Sequence, residues 1–427
     1  MKIFLRIIIT IAILPFAVAL FPLSLTYLAL AYFNANKRPK QRAAANGFMR
    51  AEGRNLYDGN GNLFQIKGVN LGNWFVPEDW MCVTTVGNFE TGVYTQRRGI
   101  AAMRRNPNLS EKQIYDLYEA YMQTYITEED FEIISKLGLN TVRIPFTYMN
   151  LSDDGKTFKA DAFKYLDWAI EMCKKYNLFA ILDLHGAPGS QNQDQHSGDD
   201  SGHNLYGNAE NQNFTVQIWE TIAKRYKDNK TVAAYDLLNE PRKAYKKFAS
   251  KMNFDFYDRL YRAIRKIDSN HLILIECFTF PTHGTHIGKY KWNNVCMQYH
   301  IYNLTPFSQL FALRFYNAAH NFMRYRLPVY IGEWNAFSNK KDWIKSLDYF
   351  DKIGWSYSSW TYKSNKYFYS RNLLNAKTST WGIYELDIAP VDISTANYEE
   401  ILNKYLQTST ANAKASLVFD VYNQRKF

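Results

Sequence analysis

The sequence predicts an α/β fold: a (β/α)8 barrel of the TIM type, preceded by an N-terminal transmembrane or signal-anchor helix. Three observations lead there. The stretches Tyr235-Asp236-Leu237-Leu238-Asn239-Glu240-Pro241 and Val329-Tyr330-Ile331-Gly332-Glu333-Trp334 both read as apolar strands that end in a glutamate. Carboxylates so far apart in the chain meet only if parallel strands bring their C-terminal ends to one face, which is how such a barrel builds a site. Apolar runs alternate with helical patterns along the chain, which implies a parallel sheet. Finally, an uncharged apolar run occupies residues 7–33.

In chain order, that run is flanked by Lys2 and Arg6 before it and Lys37-Arg38-Pro39-Lys40 after it. About 20 apolar residues span a bilayer, so it is long enough for an anchor even with Pro15 and Pro22 as kinks. Ala29-Leu30-Ala31 offers the alternative of a cleaved secretory signal. The anchor is assigned to 1–36 and a basic linker to 37–52. Next, Arg54–Tyr57 and Leu63–Lys67 flank Asp58-Gly59-Asn60-Gly61, a hairpin signal placed to close the bottom of a barrel. The strands are Lys67–Trp74, Asn140–Phe146, Phe179–His185, Ala233–Asn239, Leu272–Cys277, Val295–Tyr302, Val329–Trp334 and Trp355–Thr361. Thr127-Glu128-Glu129-Asp130 caps one intervening helix, and Ala162–Tyr176 has apolar positions at helical spacing. Long connections at Gly87–Tyr125 and Ala187–Asn213 follow the first and third strands and belong on the catalytic face. The barrel is bounded at 53–405, closing with a helix at Tyr398–Tyr405, and 406–427 is a C-terminal tail.

The 427 residues suffice for one barrel of about 250 residues with insertions. The 32 Tyr, 28 Phe and 10 Trp exceed the needs of a core and suggest a cleft with open ring faces, where sugars stack. The net charge of +11 invites a nucleic-acid reading, but residues 1–50 hold seven basic and no acidic side chains, leaving 44 basic against 40 acidic. No basic stripe with interleaved aromatics is present, so no nucleic-acid partner is expected. Cys82, Cys173, Cys277 and Cys296 lack CxxC spacing and are expected as free, buried thiols. His185, His196 and His203 with Asp194, Asp199 and Asp200 could be imagined as a metal cluster, but the Gly, Ser and Gln between them suit a polar loop at a cleft rim.

Cleaving a glycosidic bond takes a proton on the leaving oxygen and a nucleophile or activated water at the anomeric carbon, so two carboxyl groups are the minimum. Glu240 and Glu333 supply them, although either glutamate alone reads equally as a structural ion-pair partner. Further motifs stand in order at strand ends: Thr141-Val142-Arg143-Ile144-Pro145, Asp183-Leu184-His185-Gly186, Asn239-Glu240-Pro241, His300-Ile301-Tyr302, Gly332-Glu333-Trp334, and Trp360. With them the chain, from about Arg54 to about Tyr405, resembles glycoside hydrolase family 5, a retaining group built on this barrel. The resemblance implies Glu240 as acid and base and Glu333 as nucleophile. It implies Asn239 on the sugar 2-hydroxyl, Arg143 and Tyr302 on Glu333, His185 and His300 on sugar hydroxyls or the acid, and Trp360 as the floor beneath the sugar. It implies no metal or other cofactor.

Two close carboxylates cannot both ionise freely, so Arg143 beside Glu333 would leave Glu240 as the proton carrier. Asp183 and Asp236 are expected to point away from the site by strand alternation. Within the family, Gly72-Asn73-Trp74-Phe75, Tyr125–Phe131 and His185–Asn192 look most like fungal exo-β-1,3-glucanases and their bacterial relatives; Trp74 and Asn192 in these runs are candidate substrate contacts. Trp80, Tyr148, Trp334 and Phe337 are further candidate ring faces, with Phe337 and Trp80 reading equally as packing residues. Glu276-Cys277-Phe278-Thr279-Phe280 and Tyr299–Tyr302 depart from that branch, which leaves the linkage open. The implied function is retaining hydrolysis of β-glucosidic bonds in β-glucans or gluco-oligosaccharides. Alternatives are cleavage of glycosylceramide-type glycolipids or transglycosylation at the same site. A non-catalytic sugar-binding scaffold would lack the acid, the nucleophile or Asn239, and none is missing. The expected partners are the β-glucoside and, through the N-terminal helix, a membrane, with no obligate protein partner. The positive-inside rule alone would leave the barrel in the cytoplasm. A hydrolase of external polymers belongs outside it, at the cell surface or in the periplasm, or secreted if the segment is cleaved.

Overall fold

The computed structural model describes residues 47–87, 94–202, 204–241, 249–277, 287–302, 308–367 and 380–425. Eight parallel strands close into a barrel: β1 Lys67–Asn70, β2 Thr141–Thr147, β3 Phe179–Gly186, β4 Val232–Asp236, β5 Leu272–Glu276, β6 Val295–Tyr302, β7 Val329–Asn335 and β8 Ser356–Ser359. Each strand pairs with the next, and β8 returns to β1 through Tyr357↔Lys67, Ser358↔Gly68 and Ser359↔Val69. The strands are buried on both faces, which is why they read in sequence as near-continuous apolar runs. Two stop early: β1 ends short of Trp74, and β4 ends at Asp236, so Asn239 and Glu240 stand beyond the ladder.

The foot of the barrel is apolar. Arg50–Glu52, Asn55–Tyr57 and Leu63–Phe64 form a small antiparallel sheet whose turn is held by Asp58, whose Oδ1 accepts from the Asn60 and Asn62 amides at 2.9 and 2.8 Å. From it and its flanks Met49, Ala51, Leu56 and Ile66 pack onto Ile181, Ala234, Leu272, Leu274 and Tyr330 inside the barrel. That places the hairpin under the barrel, as its position before the first strand suggests.

The connection after β1 contains helices α1 Gln96–Arg105 and α2 Glu111–Tyr125. It is tied to the connection after β3 by Arg97 Nε to Asp199 Oδ1 at 2.8 Å and by the Arg97 amide donating to Gly198 O at 2.9 Å. Arg98 adds a contact to Asp200 at 2.5 Å. Helix α3, Glu128–Lys136, starts at a capping box between Thr127 and Asp130, the cap read from the sequence. After α4, Tyr398–Leu406, the segment assigned as a tail packs on the barrel: in α5, Leu417–Arg425, Val418, Val421 and Tyr422 are buried. Tyr422 donates to Ser359 Oγ on β8 at 3.1 Å, and Arg425 pairs with Asp351 at 2.6 Å and Asp348 at 2.8 Å. All four cysteines are free and buried. The anchor expected over 7–33 lies outside the described residues, as does His203; among the described residues no helix is long and apolar enough to cross a membrane.

Candidate active site

At the C-terminal mouth of the barrel, Arg143 on β2 is the hub. Fully buried, its guanidinium donates through Nε to Asp236 Oδ2 at 2.8 Å and through Nη1 to Asn70 Oδ1 at 3.0 Å and Glu333 Oε1 at 2.9 Å. Its Nη2 reaches Asn239 Oδ1 at 2.9 Å and Asp183 Oδ2 at 3.0 Å. Burial works against the charge, but Asp183, Asp236 and Glu333 outweigh it and hold the guanidinium firmly protonated. One planar fork thereby fixes groups from β1, β3, β4 and β7.

Glu333 on β7 receives a second hydrogen bond at Oε2 from the Tyr302 hydroxyl at 2.8 Å. The strand can carry these neighbours only with a glycine at 332, where a Cβ would lie 2.4 Å from Gln298 Nε2 and 2.9 Å from His300 Nε2. Across the mouth, Glu240 Oε1 lies 2.8 Å from His300 Nδ1 and Oε2 lies 3.3 Å from His196 Nε2. Its carbonyl accepts from Asn192 Nδ2 at 3.2 Å. An oxygen of Glu240, an oxygen of Glu333 and a nitrogen of His300 all lie within 4.8 Å of one another. A trio so close has the reach to share a cation; here the atoms engage one another and Tyr302.

Burial alone would raise the Glu240 carboxyl; the imidazoles of His196 and His300 outweigh it and pull it down to about 2. Burial likewise disfavours charge on His300, yet Glu276, Glu333 and Glu240 crowd it and lift it to about 10. The pair therefore keeps its proton on His300, the reverse of the sequence expectation, which weighed Arg143 against two carboxylates and left out the imidazole between them. Gln298 is consistent with this state. Its amide lies 3.1 Å from His300 Nε2, while its own Oε1 and Asp236 Oδ1 are buried without hydrogen-bond partners. An amide turned with its oxygen to the imidazolium and its NH2 to Asp236 satisfies both.

His185 is the neutral counterpart. Burial holds it well below the usual imidazole range, its Nδ1 faces Asp183 Oδ2 at 2.6 Å, and its Nε2 meets Asn239 Nδ2 at 3.3 Å. It stacks on Trp360 at 5.6 Å and 17°. Asn239 is thus held at both ends of its amide, with one N–H of Nδ2 still available to a sugar hydroxyl.

Several expectations need correcting. Asp183 and Asp236 do not point away; both enter the barrel and hold Arg143. Asp183 stands two residues before His185, so alternation puts both on the same face. Trp74 is not an open ring face: it is 1% exposed, donates Nε1 to Met122 O at 2.9 Å, and packs on Phe75 and Trp168. Trp334 faces the helices, against Trp343 and Phe350, because its neighbour Glu333 faces inward. Phe337 is buried edge-on against Trp381. Trp80 and Tyr148 remain partly exposed. Asp199 and Asp200 of the imagined metal cluster are engaged by Arg97 and Arg98. Three residues went unassigned. Gln191 donates to His185 O and Asn239 O, both at 2.8 Å. Glu78, pushed up to about 8 by burial, accepts from Trp80 Nε1 at 2.8 Å near Glu333 and Glu240. Glu276 lies under Glu240. A carboxylate ending an apolar strand was the signal that singled out Glu333, and Glu276 carries it too.

A barrel with two facing carboxylates, each oriented by its own partners, is the architecture of a carbohydrate-bond enzyme. The profile of Cellulase (glycosyl hydrolase family 5) matches residues 101–366, and the chain belongs to that family. A beta-xylosidase of Phanerodontia chrysosporium is 32% identical over 267 residues, 61% of this chain and 53% of the relative. A probable glucan 1,3-beta-glucosidase A of Emericella nidulans is 31% identical over 284 residues, 64% of this chain and 67% of the relative. The chain thus spans about half to two thirds of the length of these relatives. The fold is also that of a rutinosidase from Aspergillus niger, with a TM-score of 0.56 and 17% identity over 80% of this chain and 98% of that one.

Proposed function

We propose that the protein is a retaining glycoside hydrolase that cleaves β-glucosidic bonds in β-glucans or gluco-oligosaccharides by double displacement. The observation that carries this is the separation of the Glu240 and Glu333 oxygens, within 4.8 Å. Retaining enzymes hold their carboxyl groups about 5–5.5 Å apart, whereas inverting ones leave room for a water at about 6.5–9.5 Å. In the first step Glu333, oriented by Arg143 and Tyr302, attacks the anomeric carbon while Glu240 gives a proton to the departing oxygen. His300, 2.8 Å from Glu240 Oε1, is the source of that proton. In the second step Glu240 takes a proton from water, which displaces Glu333. Asn239 binds the 2-hydroxyl, where hydrogen bonding strengthens in the transition state.

Trapping tests this directly. A 2-deoxy-2-fluoro-β-glucoside with a good leaving group should label the peptide containing Glu333, and inactivation without a covalent adduct there would sink the mechanism. Since the relatives' names cover xylosides as well as glucans, a panel of aryl β-glucosides, β-xylosides, laminarin and cellulose oligosaccharides assigns the sugar; preference for xylosides would overturn the glucoside assignment. The domain is placed outside the cytoplasm on the apolar run at 7–33. Protease added to intact cells should remove it, and full protection would refute that placement.

A further inference from the structure

We propose that Glu276 is a positioning residue for Glu240: from the end of the neighbouring strand its carboxyl grips the Glu240 backbone and fixes the direction from which that side chain meets the glycosidic oxygen. This rests on Glu240 being the acid and base. The geometry begins where β4 ends. Beyond Asp236 the chain has left the ladder, and two amides re-anchor it: Asn239 N donates to Leu184 O on β3 at 3.1 Å, and Glu240 N turns the other way, to Glu276 Oε2 on β5 at 2.6 Å. The turn between these anchors puts Glu240 at φ 42°, in the left-handed region that side chains other than glycine rarely adopt. Such a conformation persists only where the surroundings impose it. Here the Glu276 carboxyl imposes it from below, and Pro241 follows immediately.

Glu276 is itself an unusual group. It is 2% exposed, and its Oε1 has no hydrogen-bond partner among the described residues. Among the described residues the nearest cation is His300, whose Nδ1 is 3.7 Å from Oε1 but closer to Glu240. The other titratable groups facing it, Glu240, Asp236 and Tyr257, are all acids. Burial, then the charges of Glu240 and Asp236, push the carboxyl well above the ordinary range against the pull of His300. In either protonation state the carboxyl accepts the Glu240 amide through Oε2.

The test compares full-length Glu276→Ala, Glu276→Gln and Glu276→Asp on two substrates, phenyl β-D-glucoside, whose leaving group needs a proton, and 2,4-dinitrophenyl β-D-glucoside, whose leaving group does not. Alanine removes the amide's acceptor, and aspartate draws it back by one methylene. Both should lower kcat/KM, which reports the first step, about 100-fold on the phenyl glucoside, with a far smaller loss of kcat/KM on the dinitrophenyl glucoside. Glutamine keeps a neutral carbonyl in place and should recover about 10-fold of that loss. Equal losses on the two substrates, no loss, or a glutamine variant no better than alanine would overturn the proposal. If the alanine variant fails to fold, the aspartate and glutamine pair decides by the same substrate ratio. Glu240→Ala is the control: if it shows the leaving-group dependence and the Glu276 variants do not, only the role of Glu276 falls. If Glu240→Ala keeps full activity on both substrates, the acid and base reading falls with it.

Discussion

The two ends of this barrel are built on opposite principles from the same eight strands. At the foot, Met49, Leu56, Ile66, Ile181, Leu272 and Leu274 interlock as an apolar plug. At the mouth, Arg143, Asp183, Asp236, His185, His300, Glu276 and Glu333 are buried too, yet they fill the space with polar and charged groups. Apolar packing needs only volume and tolerates rearrangement. A buried charge cluster needs every partner, because removing one strands the others in a medium that solvates them poorly. The foot accordingly governs stability, whereas the mouth governs chemistry and draws on the stability supplied below.

That contrast can be broken or sharpened by substitution, beginning with the largest effect. Glu333→Ala should cut kcat on the order of 10⁵-fold and lower the melting temperature far less than loss of the hub, because Arg143 keeps Asp183 and Asp236, as measured by steady-state kinetics beside calorimetry. Recovery of turnover with added azide, giving the α-glycosyl azide, would mark the lost nucleophile; azide that restores nothing would count against it. Arg143→Met should damage both properties, with about 3–5 kcal/mol of stability lost because Asp183, Asp236 and Glu333 lose their shared cation. A stable, inactive Arg143→Met protein would show that the cluster does not depend on its hub. At the foot, Leu274→Ala should cost about 3 kcal/mol in denaturant unfolding and leave kcat unaltered; a fall in kcat would mean that the ends are coupled. The smallest effect concerns pH. His300 is raised to about 10 and Glu240 lowered to about 2, so their shared proton is lost only as pH climbs toward the imidazolium value. With His300→Gln the proton must sit on Glu240 itself, and the alkaline limb of kcat/KM should move down by about two pH units. An unmoved limb would place the proton elsewhere.

Most of the barrel was legible in the sequence because parallel strands buried on both faces leave continuous apolar runs, and helices between them leave a different period. The family motifs gave the mouth, and Arg143, Asn239, Glu240, His300, Tyr302 and Glu333 converge where their strand ends require. What was misread follows from facing. Trp334 alternates with Glu333 and so must face the helices, and Asp183 shares the face of His185; both were available from period-two counting. The burial of Trp74 was not, because β1 ends before it and the turn beyond a strand has no fixed period. The location of the proton was least legible. It depends on four groups, Glu240, Glu276, His300 and Glu333, that come from different strand ends and approach one another only in the closed barrel.

The helix Leu417–Arg425 bears on how the chain reaches this state. It is the last described element, yet it clasps β8, the strand that completes the circle against β1. During synthesis the first strand must therefore wait, unpaired on one edge, while nearly three hundred further residues emerge. The seam joining the ends is then buttressed by residues that leave the ribosome later still. A nascent chain halted before residue 417 has every side chain of the proposed active site and lacks the brace for its closing seam. Closure of the barrel is thus a late event, and chaperone dependence should fall once residues 417–425 have emerged.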